Sequence, residues 1–210
     1  MTSINGGCQV KLVSSGRTDA KVNAMHQKAH FDLKNEIKEY KIKMALNSYL
    51  PSDIHVNEVT KTGSGFHARY MVKKKTYEYK INTGQYNPLT KDYIYQYCKN
   101  LSVDQMKKAI CYFIGKHDFT TFTSAEDKRS DKTREIYDAY INVGDNIITI
   151  VFCANGFLKY QIRNMVGTLI AIGEEKIKPD DIKCLFKKRD RRSAYLCAPA
   201  EGLTLLDVEY

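Results

Sequence analysis

Within residues 75–81, polar and apolar side chains alternate from Thr76 onward, and this run restricts the fold more than any other. The polar positions are Thr76, Glu78 and Lys80, and the apolar positions are Tyr77, Tyr79 and Ile81. A repeat of two residues is the pattern of a β-strand with one buried face. The run therefore predicts a strand that places Tyr77 and Tyr79 on the same face of a sheet.

The rest of the chain mixes helices and strands without a regular alternation of the two. Helical periodicity predicts helices over residues 36–50, 102–114, 157–172 and 180–186. Strands are predicted over residues 10–14, 30–33, 54–59, 93–97, 138–143, 146–153 and 203–208, with a hairpin turn at Gly144 and Asp145. Pro51 and Gly173 are predicted to end the first and third helices. We therefore predict an α+β fold with a mainly antiparallel sheet.

Composition and charge narrow the class of protein. Hydrophobic residues make up 43% of the 210 residues, which is enough for a sizeable core. There are 33 Lys and Arg against 24 Asp and Glu, and the resulting formal charge of +9 favours an anionic partner. RNA, DNA and an anionic membrane all qualify, and a merely basic soluble protein is the alternative.

The cysteines, histidines and apolar runs exclude several other classes. The six cysteines form no C-x-x-C pair, which argues against a zinc site or a disulfide framework. His26 and His30 are four residues apart, but no third ligand accompanies them, so we predict no metal. The sequence has no signal peptide and no apolar run of about 18 residues. We expect a cytoplasmic protein with no membrane association.

A polar loop follows the first predicted strand and carries Asp19. Residues 14–19 have too many small and polar side chains for a strand interior. A carboxylate on a loop beside a rigid scaffold can project into a cleft, and Arg17 lies two residues before it. Spacing alone does not separate a catalytic carboxylate from a polar turn, so both interpretations stand at this point.

Residues 15–24, SGRTDAKVNA, resemble the G-R-T-D-A-G-V-H-A signature of the TruA pseudouridine synthases. Further blocks of that family follow in the same order along essentially the whole chain. They are Leu50-Pro51-x-Asp53-Ile54, Phe66-His67-Ala68-Arg69, Tyr77-x-Tyr79, Gly115-x-His117-Asp118-Phe119, Arg163-Asn164-Met165-Val166-Gly167 and Ala198-Pro199-Ala200-x-Gly202-Leu203. Any one block could arise by chance, whereas the ordered set is typical of the family.

The resemblance implies an isomerase that converts uridine to pseudouridine in the anticodon arm of tRNA, at family positions 38 to 40. It implies that Asp19 is the nucleophile, that Arg163 pairs with it, and that the Tyr77 ring stacks on the extruded uracil. It also implies a homodimer that holds one tRNA. No organic cofactor is expected, because the isomerisation is redox-neutral.

Without the resemblance, the same residues have simpler explanations. Lys159, Arg163 and Gly167 share one face of the third predicted helix, and that face could be solvated. Tyr77 and Tyr79 could both fill the core, which is the usual place for a strand tyrosine.

The resemblance also suggests residues that contact the RNA. Arg17 is expected to help hold the target base out of the helix, because an extruded base needs replacement contacts. The other candidates are Thr18, Gln27, His67, Arg69, Lys73 and Lys74. His67 and Arg69 could instead brace the loop that carries Asp19, and runs of lysine are usually solvated.

The signature departs from the family at two positions. Lys21 replaces the usual glycine, and Asn23 replaces the usual histidine. A glycine can supply a positive φ angle or allow RNA to approach closely. Lys21 offers a phosphate contact in its place.

The family fold implies two similar ferredoxin-like halves with a central active-site cleft. We expect residues 1–99 to form the half that carries Asp19, and residues 100–210 to form the half that carries Arg163. The first half lacks the family's opening strand and helix, and the chain has no Trp.

An RNA-binding module that has lost turnover is therefore a rival to the enzyme, as is an assembly protein with no RNA role. Product formation, tRNA retention on a filter and a shift assay with tRNA separate the three.

Overall fold

The computed structural model describes Thr2 and residues 5–210, and it has the predicted α+β architecture. Within those residues the four α-helices are α1 Glu39–Tyr49, α2 Val103–Ile110, α3 Gln161–Gly173 and α4 Asp181–Lys188. The nine strands of the same residues are β1 Val13–Ser14, β2 Asn23–Ala24, β3 Ala29–His30, β4 Lys74–Asn82, β5 Tyr95–Gln96, β6 Gly115–Asp118, β7 Thr133–Gly144, β8 Ile147–Ala154 and β9 Leu203–Glu209. Short 3-10 turns cover Cys111–Phe113, Thr120–Phe122 and Arg191–Ser193.

The chain divides into two compact units. The smaller unit comprises Met1–Gly16 and Lys28–Met71, and the larger unit comprises Arg17–Gln27 and Val72–Tyr210. The segment that carries Asp19 therefore belongs to the larger unit. The two ferredoxin-like halves over residues 1–99 and 100–210 stay a prediction.

The smaller unit contains helix α1 and the antiparallel pair of β1 and β3, with Val13 opposite His30. The strand predicted over residues 54–59 is wrong, since this described stretch contains no strand. The Asn47 side chain bonds both backbone groups of Val56 instead. Its Oδ1 accepts from the Val56 N–H at 2.7 Å, and its Nδ2 donates to the Val56 carbonyl at 3.0 Å. A side chain thus replaces the neighbouring strand as the partner of this backbone.

The larger unit is built on one sheet with the strand order β2-β9-β4-β8-β7-β6, and β5 pairs with β4 beside this path. The pairs from β9 through β4, β8 and β7 to β6 are antiparallel, whereas β2 with β9 and β4 with β5 are parallel. The predicted mainly antiparallel sheet is confirmed. The strand with Tyr77 and Tyr79, β4, is central because β8 and β9 flank it.

The hairpin of β7 and β8 turns one residue later than predicted. Its two loop residues are Asp145 and Asn146, at φ 50° and 61°. Two positive φ angles are what a two-residue type I′ turn requires, and Asn and Asp tolerate them better than most side chains. Gly144 is the last residue of β7 rather than part of the turn.

The core of the larger unit contains residues from the central strands and from helices α2 and α3. Its largest fully buried side chains are Tyr79, Phe113, Phe119, Phe122, Phe152, Ile81, Met106, Ile136, Ile148, Ile150, Met165 and Leu169. Burying one such apolar side chain contributes about 1.5–3 kcal/mol. This packing fixes β4 and α3 as rigid supports for the side chains at their edges.

Helix α3 begins later than its prediction over residues 157–172. It begins at Gln161 because Tyr160 adopts a left-handed backbone at φ 63°. It ends at Gly173 as predicted, but Glu175 is the residue that takes the left-handed position after the helix, at φ 58°. Gly173 serves packing instead, since an added Cβ would lie 2.8 Å from the Met106 sulfur.

Candidate active site

Asp19 opens a tight turn that ends at Val22. The Val22 N–H donates to the Asp19 carbonyl at 3.1 Å, and Lys21 sits at the third position with φ 68°. A single positive φ at that position is the type II geometry, which favours glycine. A left-handed backbone strains a non-glycine residue by roughly 1–2 kcal/mol. Turn geometry therefore accounts for the glycine that the family signature usually has at the position of Lys21.

The chain after this turn is fixed to the sheet of the larger unit. Strand β2 pairs in parallel with β9, and Asn23 lies opposite Thr204. The Met25 N–H then donates to the Leu205 carbonyl at 2.8 Å. Asp19 is therefore held by backbone hydrogen bonds that start only a few residues downstream of it.

Arg163 of α3 contacts Asp19 directly. Its Nη1 lies 3.1 Å from the Asp19 Oδ2, and the Arg163 and Asp19 side chains are 17% and 25% exposed. The Arg163 Nε also donates to the Ala198 carbonyl at 2.7 Å, and the Ala198 N–H donates back to the Arg163 carbonyl at 3.0 Å. The alternative of a solvated helix face is wrong, because Gly167 is buried and the guanidinium is largely enclosed. A charge with so little water needs such partners.

Residues 194–199, called the strap here, lie directly against α3. An added Cβ at Gly167 would lie 1.7 Å from the Leu196 carbonyl oxygen, so only glycine permits this approach. The Arg191 Nη2 donates to the Asn164 Oδ1 at 2.8 Å just before the strap begins. The Asn164 Nδ2 in turn donates to the Phe122 carbonyl at 2.8 Å. Helix α3 is thus anchored directly after Arg163, at Asn164 and at Gly167.

Tyr77 and Tyr79 have different environments although they share a strand. Tyr79 is fully buried and donates its hydroxyl to the Pro199 carbonyl at 2.8 Å, so the core interpretation holds for it. Tyr77 is only half-buried, and its ring packs edge-on against Phe157 with centroids 5.3 Å apart. Burial, followed by the charge of Asp19, raises the pKa of Tyr77 to about 12. Its phenol is therefore neutral near pH 7 and lies within the electrostatic reach of Asp19.

Tyr160 also belongs to this site, and the sequence did not reveal it. Its ring centroid lies 5.1 Å from the Arg163 Cζ and 5.0 Å from the Lys159 Nζ. Lys159 Nζ is also 2.8 Å from Glu126 Oε2. Because the predicted helix began earlier, Tyr160 was expected to be an ordinary helical residue. It instead lies just before α3 with a left-handed backbone at φ 63°, and its ring is close to the guanidinium of Arg163.

The RNA-binding candidates of the larger unit are all at its surface. Arg17, Thr18 and Gln27 are exposed in the segment that carries Asp19. Lys73 is exposed, whereas Lys74 pairs with the Glu209 carboxylate at 2.7 Å. That hydrogen bond raises the pKa of Lys74. Their contact with RNA stays a prediction.

His67 and Arg69 belong to the smaller unit. The His67 Nδ1 accepts from the N–H groups of Arg69 and Tyr70, both at 3.2 Å. The His67 ring also stacks on Tyr70 with centroids 4.2 Å apart. His67 therefore braces its own turn, while the Arg69 side chain is exposed. A role of either residue in RNA binding stays a prediction.

Metal-binding clusters and membrane-spanning helices were both sought in the part of the chain that the structure describes. No group of three or more His, Cys, Asp or Glu side chains there could hold a metal ion. No helix there is long and apolar enough to cross a membrane.

Sequence comparisons match the chain to one family. Residues 109–210 match the family described as tRNA pseudouridine synthase. The chain is 40% identical over 211 residues to tRNA pseudouridine synthase A 1 of Bacillus cereus, which covers 100% of this chain and 85% of that protein. It is also 40% identical over 205 residues to tRNA pseudouridine synthase A of Caldicellulosiruptor bescii, covering 97% of this chain and 84% of that protein.

Replacing Gly167 by Ala should loosen the strap from α3. The new methyl group would collide with the Leu196 carbonyl oxygen, and such overpacking lowers the free energy of unfolding by about 1–3 kcal/mol. Urea unfolding measures the loss. Gly144→Ala is the matched control, because an added Cβ there meets no atom within 4 Å. Equal losses in the two variants would contradict a close approach of strap and helix.

Proposed function

The chain belongs to the tRNA pseudouridine synthase A family, and we propose that it isomerises uridines of the anticodon stem-loop, at family positions 38 to 40, with Asp19 as nucleophile. The family is one of isomerases that act on tRNA, so the enzyme class follows from membership. The target uridines and the role of Asp19 are the parts that need their own argument.

The observation that carries the proposal is the ion pair between Asp19 and Arg163. The guanidinium of Arg163 lies 3.1 Å from the Asp19 carboxylate and holds it in one position, from which it can act as a nucleophile. Arg163 is itself held in position, because its Nε donates a hydrogen bond to the Ala198 carbonyl. Asp19 keeps about a quarter of its side chain exposed, so a substrate can reach it.

The isomerisation of uridine to pseudouridine needs a group on the protein that can attack the nucleotide and later be released. The bond from uracil N1 to ribose C1′ breaks, and a bond from uracil C5 to the same C1′ forms. The proton on C5 is lost and N1 gains one, so atoms and electrons balance without an oxidant or reductant. A carboxylate can attack the sugar or the base, hold the nucleotide while the uracil turns, and then be released.

Tyr77 is proposed to stack on the uracil. Its half-buried ring is held by Phe157 on a central strand, which keeps it rigid. A rigid aromatic ring replaces part of the stacking that the extruded base loses. Because its phenol is neutral at pH 7, it adds no second negative charge beside Asp19.

Substitution of Asp19 tests the nucleophile. We expect the wild-type protein to form pseudouridine in an unmodified tRNA transcript with uridines in its anticodon arm, and Asp19→Ala to form none. Mapping the product by position tests the anticodon-arm assignment in the same reaction. Product from Asp19→Ala would refute the role of the carboxylate. Wild type that retains tRNA on a filter but makes no product would favour the RNA-binding module instead.

The stacking role predicts that the ring of Tyr77 matters more than its hydroxyl. Tyr77→Ala should lower kcat/KM for the tRNA by roughly 5- to 100-fold, the usual loss of one base stack. Tyr77→Phe keeps the ring and should stay much closer to wild type. If Phe and Ala variants lose activity equally, stacking is not what Tyr77 contributes.

The family resemblance also leads us to propose a homodimer that binds one tRNA. Sedimentation of the free protein should then give about twice the 24.1 kDa of one chain. Titration with tRNA should saturate at one tRNA for two chains. A species of one chain's mass that still forms pseudouridine would refute this assembly.

A further inference from the structure

An open cavity on the larger unit is lined by Lys21, which belongs to the same turn as Asp19. Its volume is about 540 Å³, within the roughly 300–1,000 Å³ of small-molecule sites. Its lining includes Lys21 and Asn23 of the signature segment, Tyr86, Lys91 and Tyr93 of the opposite wall, and Glu201. None of these is among the residues assigned above to the reacting nucleotide.

Both departures from the family signature line this cavity. Lys21 and Asn23 replace the usual glycine and histidine. The Asn23 Nδ2 donates to the Asp92 carbonyl at 2.9 Å, and Asp92 lies between Lys91 and Tyr93. Asn23 therefore ties the opposite wall of the cavity to the signature segment, while Lys21 adds a cation to it. The two departures act at one place.

The wall that carries Lys91 and Tyr93 is well ordered by hydrogen bonds. The N–H groups of Tyr93 and Ile94 donate to the Thr90 carbonyl at 3.0 and 2.9 Å. The Gln96 Oε1 accepts from the Asn87 N–H at 3.0 Å. The side chains on this wall thus have fixed bases from which to meet a ligand.

The chemistry of the lining suits a nucleotide. Lys21 and Lys91 are exposed cations that can neutralise a phosphate. Tyr86 and Tyr93 are 56% and 61% exposed, and exposed rings are stacking platforms for unpaired bases. The lining also includes Asp92 and Glu201, whose carboxylates can accept hydrogen bonds from the amino group of a base.

We propose that this cavity binds an unpaired nucleotide of the RNA substrate that lies near the target uridine. Lys21 and Lys91 contact its phosphate, and Tyr86 or Tyr93 stacks on its base. The proposal rests on the proposed function, because it takes the ligand to be part of the same tRNA that Asp19 attacks. The carboxylates favour a base with an exocyclic amino group over uracil.

The strained backbone of Lys21 supports this role. The turn requires a positive φ whichever residue is present, and glycine would adopt it without strain. Lys21→Gly therefore separates folding from binding. A residue kept only for the turn would lose nothing on this change, whereas a phosphate ligand would lose its contact.

The first test measures filter retention of the tRNA transcript against salt for wild type, Lys21→Gly and Lys91→Ala. Each variant should lower the slope of log affinity against log salt by about 0.7–1 and weaken binding about fivefold at physiological salt. Lys21→Gly should unfold at the same urea concentration as wild type or a higher one. The matched control is Lys107→Ala, which removes an exposed lysine from α2 and should leave the slope unchanged.

The second test measures whether the aromatic rings of Tyr86 and Tyr93 contribute to tRNA binding. Tyr93→Ala together with Tyr86→Ala should weaken tRNA binding roughly 5- to 100-fold, while Tyr93→Phe with Tyr86→Phe stays near wild type. Unchanged slopes in both lysine variants, or unchanged affinity in the double alanine variant, would overturn the subsite. Wild type that binds tRNA without making product would refute the proposed function alone, because the binding measurements still decide the subsite. Wild type that does not bind tRNA would overturn both.

Discussion

The contact between Arg163 and Asp19 is the interaction on which the rest of the site depends. A guanidinium that is only 17% exposed has lost most of its water, so its donors must be satisfied by the protein. The Asp19 carboxylate and the Ala198 carbonyl accept from Nη1 and Nε, and each comes from a distant part of the chain. Removing either partner would leave part of the charge unpaired. The pair therefore restrains the turn, the helix and the strap together.

Helix α3 can bring Arg163 to this position because Asn164 and Gly167, on the same helix, fix it against its neighbours. Asn164 is fully buried and bonds to both the Phe122 carbonyl and the Arg191 side chain. Gly167 lets the strap approach closely enough for its carbonyl at Ala198 to meet the guanidinium. Arg163, Asn164 and Gly167 lie within one and a half turns of helix, and together they place the guanidinium beside Asp19. A division of the helix into an apolar face and a solvated face does not describe this arrangement.

The sequence predicted the elements whose pattern is local and missed those that depend on partners. Strand β4 was found from its period of two, and the predictions over residues 138–143, 146–153 and 203–208 all fall on observed strands. Strand β6, Gly115–Asp118, was not predicted, because its sequence GKHD has no apolar alternation and its pairing with β7 defines it. The strand predicted over residues 54–59 failed for the opposite reason, since a side chain satisfied its backbone.

In the candidate site too, local motifs identified individual residues, whereas the contacts between distant residues could not be predicted from local patterns. Asp19 and Arg163 were named from motifs, yet the contact joins residues 144 positions apart, and no periodicity reports it. The Ala198 carbonyl that completes the pair is a main-chain atom, so no side-chain pattern could identify it. Tyr160 was hidden because its role follows from a left-handed backbone that breaks the predicted helix.

Lys21 shows that the turn after Asp19 can hold a lysine where the family signature usually has a glycine. A left-handed lysine is strained by roughly 1–2 kcal/mol, but a glycine there would lose more backbone freedom on folding, which offsets about 0.5–1 kcal/mol. The net penalty is therefore on the order of 1 kcal/mol or less. One phosphate contact contributes a comparable free energy when RNA binds. The turn can thus carry a lysine at a cost of about 1 kcal/mol or less, and the Lys21 side chain lines the neighbouring cavity that we propose to bind RNA.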